Sequence, residues 1–244
     1  MSSFRNNKCE ITFCSDNTVK KRFYQKERNK QNFEILKEVH DLFPLATHRG
    51  WSYKTVKPLY FDQNDNSIVM EYIDGQNLGD IYIAKPELCQ NAGVWLALFH
   101  QSTTKTDGGR VVFGDFHRHN LLVNAENREI TAIDPKKPGF ELNQKEYDIY
   151  SMVFSLVVGA IKNNRLPNKY VKLFLNGYGI INKDSFDKTN IVKYHKFWVL
   201  RSKSTEKNNA KKMLFFFSRL ILSAYVKLFI HPMLTARIQE PTHI

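Results

Sequence analysis

Three side chains in one short segment have the types and spacing for phosphoryl chemistry. They are Asp115 and Asn120, within Gly114-Asp115-Phe116-His117-Arg118-His119-Asn120, and Asp134, after Ala132-Ile133. One Asp can accept or orient the proton of an attacking hydroxyl. An Asn and a second Asp can hold the magnesium ions that bridge the phosphates of ATP. The spacing lets Asp115 face a hydroxyl while Asn120 turns back to the metal, which Asp134 reaches from the other side. A turn Asp, an Asn cap and a strand-end Asp would leave the same trace, so the elements upstream must decide.

Those elements alternate in period. Residues 8–14 alternate apolar and polar as a half-buried strand does, Ser15-Asp16-Asn17 is turn chemistry, and Thr18 to Tyr24 reads as a second strand. In that strand Lys21 shares a face with Val19 and Phe23, so Lys21 rather than Lys20 is the candidate anchor for the ATP phosphates. From Glu27 to Phe43 the apolar residues recur at helical spacing, and Pro44 ends the helix. Glu34 is the candidate to hold the lysine, with Glu38 next on the same face. Two strands, 57–62 and 67–72, follow, and Gly75 and Gly79 break the pattern. Helices over 88–102 and 147–161 and strands over 121–123 and 130–133 complete the reading.

With these elements in place a resemblance emerges. Ile68-Val69-Met70-Glu71-Tyr72-Ile73-Asp74-Gly75 looks like the hinge of kinase-like phosphotransferases, which implies that Met70, Glu71 and Tyr72 border the nucleotide base. Gly114-Asp115-Phe116-His117 through Asn120 is similar to the catalytic loop of the aminoglycoside and choline phosphotransferase superfamily. Ile133-Asp134-Pro135-Lys136 resembles that group's metal-binding segment, and Tyr147-Asp148-Ile149-Tyr150 its structural Asp. The resemblance covers residues 18–160. It implies an α+β, protein-kinase-like two-lobed fold with a small, truncated β-rich lobe over 1–73 and a mainly helical lobe over 74–244. It also implies an ATP- and Mg2+-dependent enzyme with Asp115 and His117 as catalytic residues, and Asn120 and Asp134 as metal ligands. His117, two residues after the Asp, favours the small-molecule branch over protein kinases.

Three departures stand out. The first glycine is Gly50, so no glycine-rich phosphate loop precedes the lysine. Phe113 replaces a His usual in the family, and Pro135 replaces the Phe that protein kinases use as a switch.

The composition narrows the partners. A net charge of +12 on 244 residues asks for an anionic partner, and 42% apolar content excludes a disordered chain. Cys9, Cys14 and Cys89 form no CxxC pair and fit thiols in a reducing cytosol. Residues 193–212 are strongly basic. Over 213–234 an apolar segment carries Arg219, Ser223, Lys227 and His231 as one narrow polar stripe. Such a helix either completes a core or lies on an anionic inner membrane face. No zinc-ligand set or aromatic-basic motif supports nucleic-acid binding. The resemblance implies a small-molecule, sugar or glycan acceptor, since kinases of lipopolysaccharide core sugars share the family. An atypical short-lobed protein kinase and a catalytically silent scaffold at the membrane surface are the alternatives.

Overall fold

The computed structural model describes residues 2–5, 8–103, 111–136, 145–182 and 232. The expected basic and apolar stretch at 193–234 therefore lies, apart from Pro232, outside the described residues. In chain order the first elements are β1 (Ser2–Arg5), β2 (Cys9–Phe13), β3 (Thr18–Phe23), α1 (Glu27–Leu42), β4 (Ala46–His48) and β5 (Trp51–Thr55). Then come β6 (Pro58–Asp62), β7 (Ser67–Glu71), β8 (Gln76–Asn77), α2 (Leu78–Ile81) and α3 (Leu88–Ser102). The last are β9 (Leu121–Asn124), β10 (Glu129–Ala132), α4 (Lys145–Lys162) and α5 (Asn168–Ile181).

The first sheet runs β1-β2-β3-β7-β6, every pair antiparallel. It has five strands. The outermost, β1, pairs Ser2 with Phe13 and Arg5 with Glu10. Asn17 and Asn66 take positive φ at two hairpin turns, a conformation that Asn tolerates better than branched residues. Helix α1 crosses this sheet and buries Leu36 against Val56 and Ile68. The buried Asn29 fastens its first turn: Oδ1 accepts from Phe23 N–H at 2.8 Å and Nδ2 donates to the Phe23 carbonyl at 3.0 Å.

The second sheet runs β4-β5-β10-β9-β8 and joins distant parts of the chain. β5 lies parallel to β10, with Ser52 opposite Glu129 and Thr55 opposite Ala132. The β4–β5 hairpin turns on Arg49 (φ 49°) and Gly50 (φ 75°), the two positive-φ residues that a tight two-residue hairpin requires.

The main core sits between this sheet and the helices. Trp95 stacks on Phe99 and Phe116, each with centroids 5.2 Å away, and meets Phe43 and Phe113 edge-on. Its indole N–H donates to the Lys54 carbonyl at 2.9 Å. α3 and α5 touch backbone to backbone: a Cβ on Gly93 would strike the Phe174 carbonyl, and one on Gly177 the Gln90 carbonyl. Desolvation in this core pushes the Cys89 thiol up to about 12, so it packs as an apolar group. No helix among the described residues is long and apolar enough to cross a membrane.

Candidate active site

The loop bearing Asp115 is held from beneath. Asp148, fully buried on the first turn of α4, accepts from Phe113 N–H at 2.7 Å and from Gly114 N–H at 2.8 Å. His100 Nε2 lies 3.1 Å from the same carboxylate, and its Nδ1 lies 3.0 Å from the Tyr178 hydroxyl. A buried carboxylate is tolerated where several donors satisfy it, and here they fix the loop. Gly114 takes φ 79°, which turns the chain so that Asp115 emerges at the surface of the site.

The rest of the loop is tied sideways. Arg118 donates through its guanidinium to the Ser155 carbonyl and hydroxyl, and sits over the Tyr82 ring. His119, for which the sequence suggests only a loop role, is clasped by Asn77. The Asn77 amide donates to the His119 carbonyl at 2.7 Å, and its oxygen lies 3.1 Å from His119 Nδ1.

Asn120 is buried, and its Nδ2 donates to the Asp115 carbonyl at 2.9 Å, which leaves its side-chain oxygen available. The Asn120 carbonyl accepts from Ile133 N–H at 2.9 Å, binding the loop to the end of β10 next to Asp134. Asp134 takes φ 62°, uncommon for a non-glycine residue, and its Oδ1 meets Lys21 Nζ at 2.6 Å. Burial pushes the Asp134 carboxyl upward, but Lys21 and then Lys136 outweigh it and hold the carboxyl below its ordinary value. A carboxylate and an amide oxygen brought together this way suit a hard divalent cation. Magnesium needs no more protein ligands than these when phosphates and water supply the rest. Asp134 and Asn120 would hold it and neutralise phosphate charge there.

Lys136 donates to Asp115 Oδ2 through its ammonium. His117 Nε2 lies 3.7 Å from Asp115 Oδ1. Burial holds the His117 imidazole below its ordinary value, against the pull of the Asp115 carboxylate and with the help of Lys136. The ring is therefore neutral at pH 7.

Beside this group opens a cavity of about 350 Å³, roofed by Ile11, Phe13 and Val19 and floored by Leu122 and Ile133. Lys21 and Asp134 stand at one end and the segment Met70 to Ile73 along its edge. Lys20 points away and pairs with Asp62 at 3.0 Å. Met70, Glu71 and Tyr72, the residues expected here, all line the cavity. Tyr72 N–H donates to the Asn17 carbonyl, and Glu71 N–H to that of Lys57, both at 3.0 Å. The Glu71 side chain accepts from Lys57 N–H at 2.7 Å. Among the described residues nothing pairs with the Ile73 N–H, so Ile73 carries the open donor of this edge.

The expected Lys21–Glu34 pair is not formed. Glu34 and Glu38 are both exposed, and the α1 side chains lining the cavity are Asn32 and Leu36. At about 100° per residue, Glu34 stands some 200° round the helix from Asn32 and is turned to solvent.

No family model matches the sequence, and no curated protein does either. Solved structures do match. One is that of the phosphotransferase APH(2")-IIia in complex with GDP and kanamycin: TM-score 0.58, 12% identity, covering 93% of this chain and 92% of that one. Another is that of spectinomycin phosphotransferase, APH(9)-Ia, with ADP and spectinomycin: TM-score 0.52, 15% identity, covering 98% and 92%. The chain thus has the α+β fold of the aminoglycoside phosphotransferases, one branch of the kinase-like phosphotransferase superfamily.

Proposed function

We propose that this protein is an ATP- and magnesium-dependent phosphotransferase acting on a hydroxyl of a small molecule, sugar or glycan. The observation that carries the proposal is the convergence of Lys21, Asp134, Asn120 and Asp115 beside an apolar cavity edged by open backbone. The base would lie between the Ile11–Val19 roof and the Ile133 floor, against the Glu71–Ile73 edge. Lys21 would grip phosphate. Asp115 would take the proton of the acceptor hydroxyl, and neutral His117 would donate a hydrogen bond beside it. Positioning and electrostatics carry most of such a reaction, so the lack of a glycine-rich loop is compatible with transfer. On this reading residues 1–73 supply the nucleotide grip and 74–244 the catalytic loop and acceptor side, with β4 and β5 sheet-paired across that boundary.

The acceptor reading leans on charge. The two similar enzymes were solved with kanamycin and with spectinomycin. This chain carries +12, which favours an acidic glycan of the lipopolysaccharide-core kind, met on the cytoplasmic side of a membrane that residues 193–234 would touch peripherally.

The test is direct. Purified protein should be stabilised by ATP with magnesium and hydrolyse ATP slowly. Asp115→Ala should lower turnover about 10²- to 10⁴-fold with little change in nucleotide affinity. Absence of both stabilisation and hydrolysis in the wild type would overturn the proposal.

A further inference from the structure

We infer that Lys136 is a catalytic residue: paired with Asp115 in the structure, its ammonium transfers to the γ-phosphoryl oxygens once MgATP and an acceptor are bound. The inference rests on the phosphotransferase reading above. Its first support is main-chain geometry. Lys136 N–H donates to the Phe113 carbonyl at 2.9 Å, and Phe113 N–H in turn is fixed by Asp148. The Cα of Lys136 is thereby anchored to the strip of chain that presents Asp115, two residues on. Its side chain is 49% exposed against 15% for Asp115, so a fixed base carries a long arm with a loose head.

The second support is competition for one oxygen. Asp115 Oδ2 is covered by the ammonium, and Oδ1 faces His117. An acceptor hydroxyl that gives its proton to Asp115 needs one of these oxygens, and the ammonium is the group that can leave. The space it would enter lies between Asp115 and Asp134, the region of the γ-phosphoryl if one carboxylate is the base and the other holds metal.

The third support is need. In transfer the acceptor O–H proton passes to Asp115, the new O–P bond forms, and the bond from Pγ to the bridging oxygen breaks with its electron pair leaving on ADP. Negative charge on the γ-oxygens must be met throughout. His117 is neutral, Lys21 would grip phosphate only from the β3 side, and no glycine precedes Gly50 to form a phosphate cradle. Lys136 meets that charge from the catalytic-loop side.

The experiment compares wild type, Lys136→Met and Lys136→Arg, with MgATP and MgADP as probes and water as acceptor. Lys136→Met should hydrolyse ATP about a hundredfold more slowly. It should also lack the preference for MgATP over MgADP that the wild type is expected to show by thermal shift, while stabilisation by MgADP stays at the wild-type level. Lys136→Arg should restore part of both. Faster hydrolysis by Lys136→Met would make the lysine only a block on Asp115 and overturn the inference. Unchanged turnover and ATP preference would overturn it too. A wild type that ignores both nucleotides would instead bring down the phosphotransferase reading, and this inference with it.

Discussion

Around Asp115 the backbone is fastened by side chains that are themselves buried or clasped: Asp148 below, Asn120 within, Arg118 on Ser155 and His119 on Asn77. Around Lys21 the holding is thinner. Its ammonium has one described carboxylate, Asp134, and the helix behind it offers Asn32 where a carboxylate was expected. The Asp115 side is thus built rigidly before any ligand arrives. The Lys21 side is held by charge pairs that a bound nucleotide and metal would be able to reorganise. Buried hydrogen-bond networks fix geometry because each unmet partner is costly, whereas partly exposed ion pairs rearrange cheaply.

Breaking the rigid side should have the largest effect. Asp148→Ala strands two buried N–H groups and removes the carboxylate partner of the buried His100, so stability should fall by about 3–5 kcal/mol in urea denaturation. A loss below about 1 kcal/mol would mean that the loop does not depend on this carboxylate. On the other side the strongest tie is Asn29, whose amide makes both hydrogen bonds to Phe23. Asn29→Ala should cost about 1–3 kcal/mol. It should also speed hydrogen exchange in β3 and the first turns of α1 more than in α3, because the Asn29 end of α1 lies far from the main core, which the helix enters only near Val39.

A smaller effect separates the two neighbouring lysines. The Asp62 carboxyl is held below its ordinary value first by the hydrogen bond from Lys20, then by the Asp65 N–H. A carboxyl depressed by folding adds stability above its unfolded value, near 3.9, and loses it as pH falls through the folded value. Asp62→Asn should therefore melt like the wild type at pH 7 to within a small shift, and show a shallower loss of stability below about pH 4. An identical acid limb in both proteins would show that this exposed pair contributes nothing.

What the sequence made legible follows from the range of each interaction. Helix α3 and strands β2, β3, β6 and β7 are local patterns, and their extents agree with the reading within two residues. The spacing of Asp115, Asn120 and Asp134 is also local, and the structure brings all three to one place. The parallel pairing of β5 with β10 is not local, since its partners lie more than 70 residues apart. Its hairpin could have been read: Arg49-Gly50 sits between Ala46-Thr-His48 and the alternating Trp51-Ser-Tyr53-Lys-Thr55. Helix α5 also left a trace in Tyr170, Val171, Phe174, Leu175 and Tyr178, which repeat at helical spacing after Pro167. The contact between Lys136 and Asp115 had no sequence signal, because a side-chain meeting across two loops obeys no period.

Glu34 tests the thin side most sharply, because the expected outcome is silence. A carboxylate that held Lys21 in place would make Glu34→Ala lower ATP affinity about tenfold or more. An exposed Glu on the solvent face of α1 predicts a change in stability within about 0.5 kcal/mol and an unaltered nucleotide response. Asn32→Glu supplies the contrast. It places a carboxylate on the α1 face that lines the cavity with Lys21, where it would compete with Asp134 for the ammonium. With Asp134 released toward metal, the magnesium dependence of ATP stabilisation should shift to lower concentration. A loss of ATP response on Glu34→Ala with none on Asn32→Glu would mean that α1 rotates by half a turn when nucleotide binds, and that the phosphate grip is assembled only then.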